Sequence, residues 1–124
     1  MMKFSKSWNR STKPRKQRAF RKAAPLHVKQ KLMSSHLSKE LRKKHGTRSL
    51  GIRKGDKVVI QRGQFKGKTG TVDTVDLIRE RVLISGVDLQ KKDGSKTPYP
   101  VHPSNLLITE ISLGDKERQK IVNR

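Results

Sequence analysis

Cysteine is absent from the 124 residues, which excludes disulfide frameworks and cysteine-ligated zinc. Aromatic residues are 4% of the chain and apolar residues 31%, against a usual apolar share of about 45–50%. A core that runs from end to end is therefore out of reach. Acidic residues are scarce as well: ten stand against thirty-one Lys and Arg, for a net charge of +21. Small soluble domains usually carry a net charge of magnitude roughly 2–8. Repulsion on this scale opposes a compact chain unless a polyanion neutralises it. No run approaches the roughly 18 apolar residues of a membrane span, and the first residues lack the apolar core of a secretory leader. Their Lys-rich character, with Pro14 and Pro25, fits a transit peptide poorly. Phe4, Trp8 and Phe20 are too sparse to make the apolar face of a membrane-surface helix. The expected partner is nucleic acid in the cytoplasm, with no membrane.

The basic residues are unevenly placed. Residues 1–48 carry sixteen Lys and Arg and a single acid, Glu40, whereas residues 49–124 hold the other fifteen bases and nine acids. The first segment is expected to bury almost nothing and to act as a basic arm. Short helical patterns within it argue against a merely solubilising tail. Residues 16–23 are good helix formers after Pro14. Pro25 sits where a first helical turn tolerates it, ahead of Leu26, Val28, Leu32 and Met33 at helix-compatible spacing. Ser38 is an N-cap, with Glu40 in the first turn, 42–45 basic in the last and Gly46 as the stop. Each helix falls short of the roughly 12–15 residues that are stable alone in water, so the arm needs an anionic surface to fold on.

From Gly51 the pattern turns to short β segments. Five strands are expected at 57–62, 69–76, 81–85, 97–102 and 106–111, with turns at 63–67, 79–80 and Lys92-Asp93-Gly94. Pro98 and Pro100 make the fourth strand irregular or an edge. Five short strands in so few residues predict a mainly β, five-stranded small barrel, whose closure hides its edges. The expected organisation is an arm over 1–48, a barrel over 49–112 and a tail over 113–124 that ends in a turn or two of helix.

The densest motif is K-G-D-x-V-x-x-x-x-G-x-x-K-G-x-x-G-x-V-x-x-V over 54–75. Gly55, Gly63, Gly67 and Gly70 punctuate two strands, where glycine permits positive φ or a close backbone approach. Lys54, Arg62, Lys66 and Lys68 stand between them. A tight loop that offers amide N–H groups and lysines together suits phosphate oxygens. Gly63-x-x-x-Gly67-Lys68-Thr69 imitates a nucleotide-binding P-loop, but it has three residues between the glycines where four are needed. It also leads into a β-branched run rather than a helix, so no nucleotide ligand is expected.

This 54–75 segment resembles the KOW motif, which sits in SH3-like barrels of ribosomal proteins and transcription elongation factors. The flanks A-P-L-H-V-K-Q-K-L-M at 24–33, S-K-E-L-R at 38–42 and V-H-P-S-N-L at 101–106 resemble the archaeal and eukaryotic branch of the universal L-twenty-four ribosomal protein family. The resemblance covers nearly the whole chain and implies a non-bacterial type, since bacterial relatives lack a comparable basic arm. It implies an SH3-like barrel and a structural role in the large ribosomal subunit. It also implies binding to 23S-type rRNA near its 5′ end, a part in starting subunit assembly, and a place near the polypeptide exit tunnel. By motif position, Arg62, Lys66 and Lys68 would touch rRNA, and so would the arm. With Lys54, the arm's candidates are Lys13, Arg15, Lys16, Arg18, Arg21, Lys22, Lys29, Lys31, Lys43, Lys44 and Arg48. The segment 102–105 matches the family pattern, and the residues themselves assign it no role beyond a polar turn able to touch RNA. The implied partners are large-subunit rRNA and neighbouring ribosomal proteins, with no cofactor and no homo-oligomer.

Sharper chemistry finds little support. His27, His36 and His45 recur every nine residues and would alternate faces of one helix, with few carboxylates near, so metal binding is not expected. Ser34-Ser35-His36 has the residue types of a nucleophile site but no acid placed beside it. Asp73, Asp76 and Glu80 read as solvated strand and turn positions. Phe4, Trp8 and Phe20 suit either base stacking or anchorage to a neighbouring protein. Phe65 suits either insertion into RNA or packing on the barrel rim, and Tyr99 suits rim packing. An elongation factor would show a more balanced charge and a further partner-binding domain. A chromatin-type DNA binder is permitted by charge alone, not by the motif.

Overall fold

The structure, a computed structural model, describes residues 4–6 and 10–124. Trp8 lies outside the described residues. The elements in chain order are α1 (Pro14–Ala23), α2 (Leu26–Leu32), β1 (Ser34–Leu37), α3 (Lys39–His45), β2 (Ser49–Gly51) and β3 (Lys57–Ile60). They continue with β4 (Thr69–Asp76), β5 (Arg81–Ile84), β6 (Asp88–Gln90), β7 (Lys96–Pro98), a 3-10 turn (Pro103–Asn105), β8 (Leu106–Glu110) and α4 (Lys116–Val122).

Six strands form one mixed sheet in the order β2-β1-β8-β3-β4-β5, and β6 with β7 makes a separate ribbon. The architecture is mainly β with a few helices, consistent with a small barrel-like fold. The five expected strands correspond to β3, β4, β5, β7 and β8, but three more are present. The largest departure is β1, inside the segment read as an arm. It pairs antiparallel with β2 and parallel with β8, so residues 34–37 are an inner strand of the sheet. Ser35 is buried there and its hydroxyl donates to the Pro103 carbonyl at 2.7 Å. That bond uses the hydroxyl the Ser34-Ser35-His36 pattern had suggested for chemistry.

The core follows strand alternation. Val58 and Ile60 of β3, Val82 and Ile84 of β5, and Leu106 and Ile108 of β8 all point inward and are buried. Val72 joins them from β4, which carries a register shift between Val72 and Thr74. Such a bulge bends a strand and increases its twist, as an eight-residue strand shared by two neighbours requires. Residues 1–48, expected to bury almost nothing, supply Met33 and Leu37 to this core and bury Ala24 and Lys29 as well. Met33 and Leu37 each contribute roughly 1.5–3 kcal/mol by burial. That is why α2 and α3, at seven residues each, stand against the sheet although neither is long enough to stand alone. In α3 the expected caps are present: Ser38 accepts from the Leu41 N–H, and Gly46 ends the helix in the left-handed region.

The C-terminal helix is bolted to the motif by charge. Asp56, fully buried, accepts from Arg118 Nη1 at 2.5 Å and Nη2 at 2.6 Å. The same carboxylate accepts from the Arg53 and Ser112 N–H groups, each at 3.0 Å. Arg118 also donates to the Gly51 and Ser112 carbonyls, and Val122 packs into the core one helical turn later. At the start of α4, Asp115 accepts from the Glu117 N–H and is paired with Arg53. The Arg53 hydrogen bond holds the Asp115 carboxyl below the usual carboxylate range.

Candidate nucleic-acid interface

The turn between β3 and β4 is built from its glycines. Gly63 and Gly67 have φ of +98° and +89°, conformations that a Cβ disfavours, and the turn closes through the Gly67 N–H to the Ile60 carbonyl at 2.8 Å. The next glycine serves a different purpose. A Cβ on Gly70 would lie 2.5 Å from Ile84 Cγ2 and 2.6 Å from the Ser85 carbonyl oxygen, so β4 and β5 approach each other only because it has none.

The turn uses only part of its amides internally. The N–H groups of Lys66, Gly67 and Lys68 donate to the carbonyls of Gly63, Ile60 and Phe65. Side-chain charge faces outward beside it: Arg62, Lys66 and Lys68 are exposed. The Lys68 ammonium sits 4.9 Å from the Phe65 ring centroid. Phe65 itself is buried, with its ring centroid 4.9 Å from that of Tyr99. Both aromatics thus pack on the rim.

The arm approaches the same end of the sheet. His102 is lowered below the ordinary histidine value by burial first, then by the charges of Arg81 and Arg21. Arg21 lies in the last turn of α1, so the charge of that helix is felt at the 3-10 turn. None of the ten residues of α1 is buried, five of them are Lys or Arg, and no acid stands in its first turn. Phe20 of this helix packs against Phe4 with ring centroids 5.0 Å apart.

Of the fifteen candidate contacts, fourteen are exposed: Lys13, Arg15, Lys16, Arg18, Arg21, Lys22, Lys31, Lys43, Lys44, Arg48, Lys54, Arg62, Lys66 and Lys68. Among the described residues, none of the fourteen has a carboxylate within 4.0 Å.

The family model that describes the eukaryotic L26 ribosomal proteins and their archaeal L-twenty-four counterparts matches residues 11–124. The large ribosomal subunit protein uL24 of Methanosphaera stadtmanae is 50% identical over 114 residues, covering 92% of this chain and 97% of that one. The chain belongs to this ribosomal protein family. The family is structural rather than enzymatic.

Within this family member the candidate cations do not form one patch. Arg62 shares a cleft at the rim with Arg81, His102 and Asn105. Lys31 and Lys54 instead line a separate groove of about 960 Å³ between α2, β2, β4 and α4, floored by Leu50, Ile52, Val75 and Leu77. Lys43 and Lys44 lie on α3 and Arg48 just before β2. Lys29 is the exception to exposure: it is buried, and its ammonium donates to the Ile78 carbonyl at 3.1 Å. The candidate metal groups disperse as well. His27, His36 and His45 fall on α2, β1 and α3, and among the described residues no cluster of three potential ligands forms. Asp76 is engaged by the Ile78 and Arg79 N–H groups of its own turn. No helix of the described residues is long and apolar enough to cross a membrane.

Arg81 and Gln64 were not among the expected contacts, and His102 and Asn105 were expected only as parts of a polar turn able to touch RNA. Their only shared signal is that three of them are polar residues in turns, which is too common to single them out.

Proposed function

We propose that this chain is a structural component of the large ribosomal subunit in the cytoplasm. It binds 23S-type rRNA near its 5′ end, helps initiate subunit assembly and lies near the polypeptide exit tunnel. The observation that carries the RNA reading is the set of fourteen exposed cations with no carboxylate partner. The assembly role and the exit-tunnel position rest on the family's likeness, which spans 11–124.

Mechanism is binding. Lys and Arg displace counterions condensed on the phosphates, so affinity falls steeply with salt. The turn at Arg62, Lys66 and Lys68, in a KOW-type motif, holds phosphates as point charges. The helix α1, basic along its length and without a buried residue, gains order when an RNA surface neutralises it. A-form helices have a deep, narrow major groove that side chains do not read, so most contacts follow RNA shape and phosphate position. Partners are the rRNA and neighbouring ribosomal proteins. Residues 1–48 serve as the RNA-facing arm, with β1 and the buried part of α2 as its root in the fold.

Sucrose-gradient sedimentation of a cell lysate through a stepwise salt wash tests this directly. The protein is expected with the large subunit, leaving it only at high salt. Migration near the top of the gradient, or with RNA polymerase, would overturn the reading; the second result would favour an elongation factor.

A further inference from the structure

Beside the 62–68 turn, the rim of the sheet holds a cleft of about 180 Å³. A cavity of about 150 Å³ takes a benzene ring, while sites for drug-sized ligands and cofactors measure roughly 300–1,000 Å³. The cleft therefore suits one planar heterocycle and not a whole nucleotide cofactor. Phe65, Tyr99 and Val101 give it apolar walls, and Gln64, His102 and Asn105 supply polar groups.

These polar groups are not used up by the fold. Among the described residues, the side-chain amides of Gln64 and Asn105 have no hydrogen-bond partner, although the Asn105 backbone is bonded to His102 and Gln61. In His102, Nδ1 accepts from the Ser104 N–H at 3.2 Å, with the Ser104 hydroxyl at 2.8 Å. An accepting Nδ1 places the proton of the neutral ring on Nε2, which makes that atom a donor. Two amides and a ring N–H around a narrow apolar slot match the donors and acceptors on the edge of a base. Arg62 and Arg81 belong to the same lining, where a base's flanking phosphates would lie.

We propose that this cleft takes a single unstacked nucleobase of the bound RNA, its edge read by Gln64, His102 and Asn105. The inference rests on the RNA-binding reading above and adds one point of base recognition to an interface otherwise governed by charge and shape. The base comes from a loop or bulge, because a paired base would first have to be unstacked.

The test uses the full chain reconstituted with deproteinised large-subunit rRNA. The Watson–Crick edges of the bases are probed chemically, and the backbone is footprinted with hydroxyl radicals in parallel. Wild type is compared with Asn105→Leu and with Gln64→Ala, whose side chain lies on an exposed turn and leaves the core untouched. We expect one unpaired base that wild type protects to recover its reactivity in both variants, while the backbone footprint persists. Affinity should fall about tenfold per variant, at the weak end of base-discriminating contacts. Identical base protection in wild type and both variants sinks the cleft assignment and leaves RNA binding standing. So does an intact backbone footprint with no protected base. If wild type leaves no footprint of either kind, the RNA reading and this inference fall together. Thermal melts identify a misfolded Asn105→Leu, in which case Gln64→Ala decides alone.

Discussion

At Asp56 and Arg118 opposite charges are buried together, with the carboxylate taking four hydrogen bonds. At Arg62, Lys66 and Lys68, only a few residues along the same motif, like charges stand in solvent with no carboxylate near them. The first arrangement completes itself and holds α4 against the sheet. The second leaves its charges to solvent, free to meet the external anion of the proposed function. Removing one member of the buried pair leaves the other as an uncompensated charge in the interior. Asp56→Ala is therefore expected to cost about 3–5 kcal/mol, a large share of a typical stability of roughly 5–15 kcal/mol. Urea denaturation measures it. The double replacement Asp56→Ala with Arg118→Met should lose clearly less than the two single changes added together. Additive losses would mean that the pair is not coupled.

A second contrast lies among the motif's glycines. Gly70 is needed for close approach between β4 and β5, and Gly70→Ala forces a methyl group against Ile84 and the Ser85 carbonyl. Overpacking of this kind typically costs about 1–3 kcal/mol, visible as a lower melting temperature of the free protein. If RNA affinity per folded molecule fell instead, with stability unchanged, Gly70 would belong to the interface and not to the fold.

How much of this was legible in the sequence depended on whether the deciding interaction was local. Helix α3 was readable from Ser38 and Gly46 because caps act over a few residues, and β4 was readable from its β-branched run. Strand β1 was not, because Ser34-Ser35-His36-Leu37 holds one large apolar residue and owes its conformation to β2 and β8. Lys29 looked like any other arm lysine until the turn at Ile78 came to it across the fold. Arg118 and Val122, four residues apart, do lie on one face of α4, but nothing in the spacing names Asp56 as the partner. Candidate cations could be chosen by charge, whereas the rim cleft joins Gln64 and Phe65 to the distant segment 99–102, and no local pattern links the two.

The exposed cations should behave in the opposite way to Asp56. Replacing Arg62, Lys66 and Lys68 by Ala is expected to leave stability within about 0.5 kcal/mol per site. The slope of log affinity for rRNA against log salt should become shallower by about one unit per lost phosphate contact. Lys29→Ala supplies the control from the same residue type. It removes a buried stem and a bond to Ile78, so it should lower stability and leave the salt slope unchanged. An unaltered slope in the triple variant would move the phosphate contacts elsewhere on the chain.

The smallest effect concerns His102, which stands between the two kinds of charge because its neighbours are cations but its ring is neutral. Burial and then the charges of Arg81 and Arg21 lower its proton affinity in the folded protein, with Glu80 opposing them. Above the ordinary histidine value of about 6.5 the ring is neutral in both folded and unfolded chains, and the full stability is present. Below that value the unfolded chain takes up the proton first, so stability declines as the pH falls through the folded-state value. The geometry acts in the same direction: a proton on Nδ1 would face the Ser104 N–H that now donates to it, and the cap of the 3-10 turn would be lost. His102→Asn retains a side-chain acceptor at that cap but does not titrate. Melting temperatures across this range should therefore drop slightly further for wild type than for His102→Asn. Parallel curves for the two proteins would show that the cations around His102 are too well screened to matter, and would confine the charge contrast to Asp56 and the motif turn.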